Sequence, residues 1–362
     1  MRKLASVQKI KSIAPIAGKD RIGLATVLGW HVIVNKREIE PNDLVVFCEP
    51  DSIIPDKKIY GNAAGERIKT MKMAGVVSEG ICFPLTVLPE GKYEEGQEVT
   101  DLLGIKKYES DERNGTSAWW RKKSKKPSST AWYMRTQLGR WLYYHFFNKP
   151  KYLPFPDWIP RTNETRCQVL GDIFFLYRGT VCDYTEKLCG SSVTFYLDKR
   201  DKLHVCSQNT EIMDKNDFMY KAVKETCLES LKVLPRREIV VQGEIIGPGV
   251  QGNLYRLDHY EIYAFQMIWP DGTYLSPSIF SHLANEAGFK IVPTLGTLTI
   301  GTNIDYYIDL SKGKSKINPN IPREGIVVRP LTDIYINRDE RFAGGRLSFK
   351  ALNPDFLTMK GR

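Results

Sequence analysis

Tyr184-Thr185-Glu186-Lys187-Leu188-Cys189-Gly190-Ser191-Ser192 is the stretch that decides how this chain is read. A lysine and, three residues on, a glycine interrupt a run that otherwise has the β-branched and apolar character of paired strands. A Lys-x-x-Gly alone recurs by chance in most proteins of this size. Three more clusters follow it in order. They are Val240-Val241-Gln242-Gly243-Glu244-Ile245-Ile246, Arg323-Glu324-Gly325-Ile326-Val327-Val328-Arg329 and Leu347-Ser348-Phe349-Lys350-Ala351. Each sets a charged residue in or beside an apolar strand. Singly they read as exposed strand ends; in this order and spacing they are specific.

The residue types fit a nucleotidyl transfer. A lysine attacks only as a neutral amine, which requires a desolvated site or a neighbouring cation. Lys187, between apolar strands, has the first. Glu244 and Glu324 are hard oxygen donors suited to a hydrated magnesium ion, which supplies the second. Gly190 lets the backbone approach a phosphate closely. Lys350 offers a positive charge to the α-phosphate as its charge redistributes.

Outward from these clusters, residues 166–362 alternate strand candidates with few helices. Ser192–Leu197, Ile239–Val241, Glu261–Phe265 and Gly325–Val328 read as strands, and Asp214–Lys232 as a helix. The pattern predicts an α+β domain with antiparallel sheets. Residues 1–105 read as short strands between turn signals, among them Ala25–Val34 and Asp43–Phe47, and suggest a small barrel or sandwich. Within them Arg67-Ile68-Lys69-Thr70-Met71-Lys72-Met73 has the period of a strand with Arg67, Lys69 and Met71 on one face. Arg67 and Lys69 there suit a nucleic-acid groove or a solvated edge. Between the two parts, residues 106–165 carry the basic run Arg121-Lys122-Lys123-Ser124-Lys125-Lys126 among tryptophans, followed by a proline-spaced stretch. Basic residues interleaved with aromatics can track a phosphate backbone, with Arg121, Lys122 and Lys123 as contacts, or can form a solvated linker.

The whole chain sets bounds on these readings. With 362 residues it suits two domains. Hydrophobic residues make up 42% and charged residues 26%, which excludes wholesale disorder. An excess of 52 Lys+Arg over 42 Asp+Glu, net +10, favours polyanionic partners. The seven cysteines show no CxxC spacing and lie mostly in apolar runs. They read as reduced thiols, in the cytoplasm or another reducing intracellular compartment. The start has no apolar core of a signal peptide, and no stretch is long enough to cross a bilayer, so no membrane is expected.

The four clusters resemble motifs I, III, IV and V of the covalent nucleotidyltransferases, the ATP-dependent polynucleotide ligases and messenger-RNA capping enzymes. The similarity extends to Arg2-Lys3-Leu4-Ala5, Gly29-Trp30, Asp43–Phe47, Glu79-Gly80-Ile81-Cys82-Phe83-Pro84 and Gln242–Gly249. That wider pattern resembles the RNA ligases with an amino-terminal OB domain, the Naegleria and Deinococcus type. It implies an OB-like β-barrel over 1–105 and a linker or insertion over 106–165. An antiparallel-sheet, ATP-grasp-like adenylyltransferase domain would then occupy 166–362. It further implies that Lys187 attacks ATP to form lysyl-AMP, with Mg2+ or Mn2+ held at Glu244 and Glu324. AMP would pass to a 5′-phosphate RNA end, which a 3′-hydroxyl then seals, as in RNA repair. Arg166, Glu186, Gly190, Phe265 and Lys350 would contact the nucleotide, with Glu186 at the adenine edge and Phe265 stacked on the base. RNA ends, free or in a nicked duplex, would be the partner of a monomer.

Three positions depart from the family pattern. Cys189 stands where an aspartate is usual, and a thiol is a poor substitute at a hard cation. Ser207-Gln208-Asn209 replaces a Ser-Arg-Asn and loses a charge. Ser348 stands where motif V often has a lysine. A capping-type guanylyltransferase, a DNA ligase and a non-catalytic nucleic-acid-binding relative stay open as alternatives. The domain order speaks against the first.

Overall fold

The computed structural model describes residues 3–108, 136–137, 150–336 and 339–360. The chain divides into two compact units, one of Met1–Tyr108, Asn163–Leu188 and Val292–Arg362, the other of Glu109–Thr162 and Cys189–Ile291. The basic run at 121–126 lies outside the described residues.

The first unit begins with a curled five-stranded antiparallel sheet. Its order is Trp30–Asn35, Lys19–Val27, Ala5–Ile16, Leu44–Cys48, Ile81–Pro84. The 12-residue strand Ala5–Ile16 serves two partners. Its first half pairs with Leu44–Cys48 and its second with Lys19–Val27, and a register shift between Ile10 and Ser12 marks the bend. An irregularity of this kind adds local twist and lets one strand turn a barrel corner. Leu44–Cys48 is buried on both faces. Val45 and Phe47 join a cluster with Ile10, Val27, Trp30 and Val32, while Val46 and Cys48 join another with Leu4, Val7, Ile54 and Ile68. This is the OB-like barrel the sequence leads one to expect.

The Arg67–Met73 stretch follows the expected alternation only in part. Ile68 and Thr70 are buried, Arg67 is part-buried and Lys69 exposed, but Met71, Lys72 and Met73 are all exposed. The strand proper is Thr70–Met73, paired with Val76–Glu79. The two are joined by Ala74 (φ 52°) and Gly75 (φ 81°), both in the left-handed region that suits a two-residue hairpin. Both faces of the hairpin tip meet solvent, so the period loses its meaning there.

A second five-stranded sheet completes the unit, in the order Thr165–Arg166, Phe349–Leu352, Gly325–Pro330, Val181–Lys187, Thr294–Thr299. Its buried face holds Cys167, Cys182, Leu298, Ile326, Val328 and Ala351 against helices Gly171–Leu176 and Ile304–Ser311. Phe174, Tyr307 and Phe349 interlock there, with ring centroids 4.7 to 5.2 Å apart. The barrel is tied to this sheet by main-chain contact. The Gly29 amide donates to the Gln168 carbonyl at 2.9 Å, and a Cβ on Gly29 would come 2.5 Å from Ile304 Cδ1.

The second unit is a seven-stranded sheet, in the order Tyr152–Pro154, Thr210–Ile212, Leu203–Cys206, Ser191–Leu197, Val240–Ile246, Glu261–Ile268, Lys290–Ile291. Only the Lys290–Ile291 pairing is parallel. One face packs Val193, Phe195, Val241, Ile245, Ile262 and Ala264 beneath helices Phe218–Thr226, Leu228–Val233 and Pro277–Glu286. The single helix expected over Asp214–Lys232 is two, separated at Cys227.

Candidate active site

Lys187 is the last residue of Val181–Lys187, and its register partner is Gly325, the first residue of the neighbouring antiparallel strand. Glu324 precedes that partner, just outside the strand, where the alternation of faces does not bind it and its side chain meets that of Lys187. Lys187 Nζ lies 3.0 Å from Glu324 Oε2 and 3.5 Å from the Leu188 carbonyl. A Cβ on Gly325 would run into the Ala351 carbonyl, so glycine is what lets three strands close up at this point. In the next row of the ladder Thr185 opposes Val327, Val327 opposes Lys350, and Lys350 opposes Arg166. Directly opposed residues share a face. Lys187 and Lys350 therefore stand on the face away from the Cys182, Ile326 and Val328 core.

Two groups that sequence reasoning missed sit on this face. Arg329, opposite Asp183 in the register, ion-pairs with Glu164 at 2.6 Å, and both side chains are largely buried. Burial alone would push the Glu164 carboxyl up, but the Arg329 and Lys350 cations beside it hold it below the usual carboxylate range. A buried Arg–Glu pair next to Lys350 was not visible in the sequence because Glu164 belongs to a segment read as linker.

Glu186 points to the buried face and is 1% exposed. Its Oε2 accepts from the Lys316 amide at 2.7 Å, with a further bond from Ser315. Its Oε1 has no hydrogen-bond partner among the described residues. Burial raises its pKa against the opposing pull of Ser315, the Lys316 amide, Arg323 and the Lys316 charge. Arg166 is 8% exposed; its guanidinium lies 3.2 Å from Asp51 and 5.2 Å over the Trp30 ring, so it joins the barrel to the strand beside Lys350. Arg67 also pairs with Asp51 and lies over the Tyr108 ring, whereas Lys69 is exposed.

In the second unit, the Cys189 amide donates to the Tyr255 hydroxyl at 2.8 Å and the Gly190 amide to Glu244 Oε1 at 3.0 Å. A Cβ on Gly190 would collide with the Ile245 carbonyl oxygen. Glycine is required by this close approach of two backbones. Glu244 opposes Ser192 on one side and Tyr263 on the other, all on the face opposite the apolar core. Phe265 is half-buried and falls at the irregularity where Gln242 pairs with Gln266 but Gly243 with Ala264. An extra residue of this kind re-aims its side chain. The Cys189 side chain is buried at 3% exposure. Ser207-Gln208-Asn209 forms the turn between Leu203–Cys206 and Thr210–Ile212, closed by a 2.8 Å bond from the Ser207 amide to the Thr210 carbonyl.

No group of three or more His, Cys, Asp or Glu poised as metal ligands occurs among the described residues. Glu244 in one unit and Glu324 in the other are each hard oxygen donors of the kind a magnesium-type ion meets through its own water shell.

Comparison with known proteins bears on the fold and the family. An OB-fold domain model matches residues 4–85, and an RNA ligase family model matches residues 183–352. The chain is similar to the Naegleria gruberi RNA ligase with pyrophosphate, at 29% identity over 100% of both chains with a TM-score of 0.77. It is also similar to a point mutant of that ligase with ATP and manganese, at 27% identity over 99% of both chains with a TM-score of 0.78. The chain belongs to the RNA ligases with an amino-terminal OB domain. No match is found among curated proteins. For an RNA ligase the unusual features are Cys189, Ser348 and Gln208. All seven of its cysteines are free thiols, and burial pushes those of Cys82, Cys182 and Cys206 up to about 12. No helix among the described residues is long and apolar enough to cross a membrane.

Proposed function

We propose that this RNA ligase joins 3′-hydroxyl and 5′-phosphate RNA ends in three steps, with Lys187 as the covalent catalyst. Lys187 Nζ attacks the α-phosphorus of ATP and pyrophosphate leaves, giving a lysyl phosphoramidate. The 5′-phosphate of an RNA end then displaces the lysine and takes the AMP. Finally a 3′-hydroxyl attacks that phosphate, AMP leaves, and the phosphodiester forms. The observation that carries this reading is the Lys187–Glu324 pair at 3.0 Å, on a sheet whose adjoining strands present Lys350. An ammonium held by Glu324 must give up its proton and its partner before it can attack.

Glu244 and Glu324 would hold the water shell of Mg2+ or Mn2+. That ion supplies charge neutralisation at the reacting phosphate. The chain's own residues do the rest. Lys350 offsets charge on the α-phosphate, Gly190 admits the phosphate close to the backbone, and Phe265 and Arg166 flank the nucleotide. Glu186 Oε1, buried and without a partner among the described residues, suits the exocyclic amine of adenine. Lys69 and the run from Arg121 through Lys123 would hold RNA phosphates. Arg67, already engaged by Asp51, contributes less. RNA ends in a nicked duplex are the proposed substrate of a monomer in a reducing compartment.

Incubation with α-labelled ATP and magnesium, then denaturing electrophoresis, tests the reading. The wild type should carry covalent label, whereas Lys187→Ala and Lys187→Arg should carry none, since guanidinium stays protonated. Label from GTP but not ATP would instead make it a capping-type transferase.

A further inference from the structure

We infer that Arg161 is a phosphate-binding residue of the ligase reaction; this rests on the function proposed above. Arg161 lies in a segment whose sequence reads as linker, but its neighbours on both sides are pinned to the Glu244-bearing face of the second unit's sheet. The Pro160 carbonyl accepts from Gln242 Nε2 at 2.8 Å, and Gln242 is fully buried. The Thr162 hydroxyl lies 2.9 Å from that of Ser192, which opposes Glu244 in the register and follows the Gly190-Ser191 turn. Arg161 is thus delivered to this face by two side-chain bonds one residue away on either side.

The guanidinium itself is exposed. Nη1 lies 3.5 Å from Asn209 Oδ1, and the group stands 5.5 Å over the ring of Phe155, whose amide bonds the Asn209 carbonyl at 3.3 Å. Among the described residues no carboxylate ion-pairs with it. A preset, solvent-facing arginine without a counter-charge is an anion site, and its planar fork matches phosphate. The turn it touches is Ser207-Gln208-Asn209, whose central residue is neutral. Arg161 places beside that turn the cation that Gln208 does not carry. The phosphate comes either from the ATP triphosphate or from the RNA 5′ end.

Two assays separate these sources. One measures lysine adenylylation against ATP concentration. The other measures sealing of pre-adenylylated RNA without ATP, against RNA concentration. Arg161→Ala should raise KM roughly tenfold in one of them, the size of one charge-assisted phosphate contact. A rise with ATP assigns the triphosphate, and a rise with RNA assigns the 5′ end. Arg161→Lys should keep most of the affinity, and Gln208→Arg added to Arg161→Ala should restore it. Unchanged KM in both assays overturns the proposal. So does a loss shared equally by Arg161→Lys and unrelieved by Gln208→Arg, which marks a structural role. If the wild type takes no covalent label, the ligase reading fails and this proposal with it. If the wild type is labelled and Arg161→Ala is unchanged, only the proposal on Arg161 falls.

Discussion

At the scale of single residues, Cys189 and Glu164 show how environment decides a role that identity leaves open. A thiol where the family usually has an aspartate suggests a weakened metal contact. In the structure, however, the Cys189 side chain is buried. A carboxylate placed there would be desolvated, at about several kcal/mol without a partner. Cys189→Asp is therefore expected to lower the melting temperature and to leave the magnesium concentration for half-maximal adenylylation unchanged. A several-fold fall in that concentration would make Cys189 a metal contact after all. Glu164 is the converse, a charge that burial alone would neutralise but two cations keep ionised. Because its pKa is lower in the folded chain than the ordinary value of 4.5, its contribution is full above that value and is lost as pH falls below it. Glu164→Gln leaves Arg329 without its carboxylate, and breaking a buried pair costs roughly 3–5 kcal/mol. Denaturant melts of the variant and the wild type should differ most at pH 7 and converge as pH falls from 4.5 through the lower pKa of the folded chain. A gap that stays constant down to acid pH would show that the variant perturbs packing rather than charge.

At the scale of elements, strands were legible wherever a face is buried, because burial imposes the period that sequence displays. Gly325–Pro330 and Val240–Ile246 fall where apolar runs put them. The period fails at the Thr70–Met73 hairpin tip, where both faces are wet. It also cannot report the break at Cys227, since two short helices on one core have the same apolar spacing as a single longer one. The motif residues were legible for a different reason, as charges inside apolar runs. The groups beside them were not, since Glu164 and Arg161 owe their places to pairings more than 29 residues away in sequence. Glycines belong to this scale as well. Gly190 sits where its strand approaches Ile245, and the Cβ of Gly190→Ala would overlap that carbonyl. Forcing the strands apart costs about 1–3 kcal/mol and pulls the Gly190 amide from Glu244. Adenylylation should fall steeply while far-ultraviolet circular dichroism stays native. Wild-type rates in Gly190→Ala would mean that the turn relaxes without moving Glu244.

At the scale of the whole molecule, the amino-terminal barrel belongs to the same compact unit as Lys187. The contacts say how. Trp30 is fully buried under Arg166, and Asp51 bonds Arg166 from the barrel. His31 meets Asp305 at 3.0 Å, and the Gly29 amide reaches Gln168. Arg166 in turn pairs in register with Lys350. If the barrel only gripped RNA, its loss would spare lysine adenylylation and abolish sealing. The chain of contacts from Asp51 through Arg166 to the Lys350 strand argues that both steps depend on it. Gly29→Val tests this without removing any proposed catalytic group. Its Cβ would lie 2.5 Å from Ile304 Cδ1 and 3.0 Å from Gln168 Cα, so the barrel must shift away from the sheet. Covalent AMP labelling and sealing of pre-adenylylated RNA should both drop, by roughly tenfold, if the wedge costs the lower end of the overpacking range. A Gly29→Val protein that is labelled at the wild-type rate but cannot seal would return the barrel to a purely RNA-binding role.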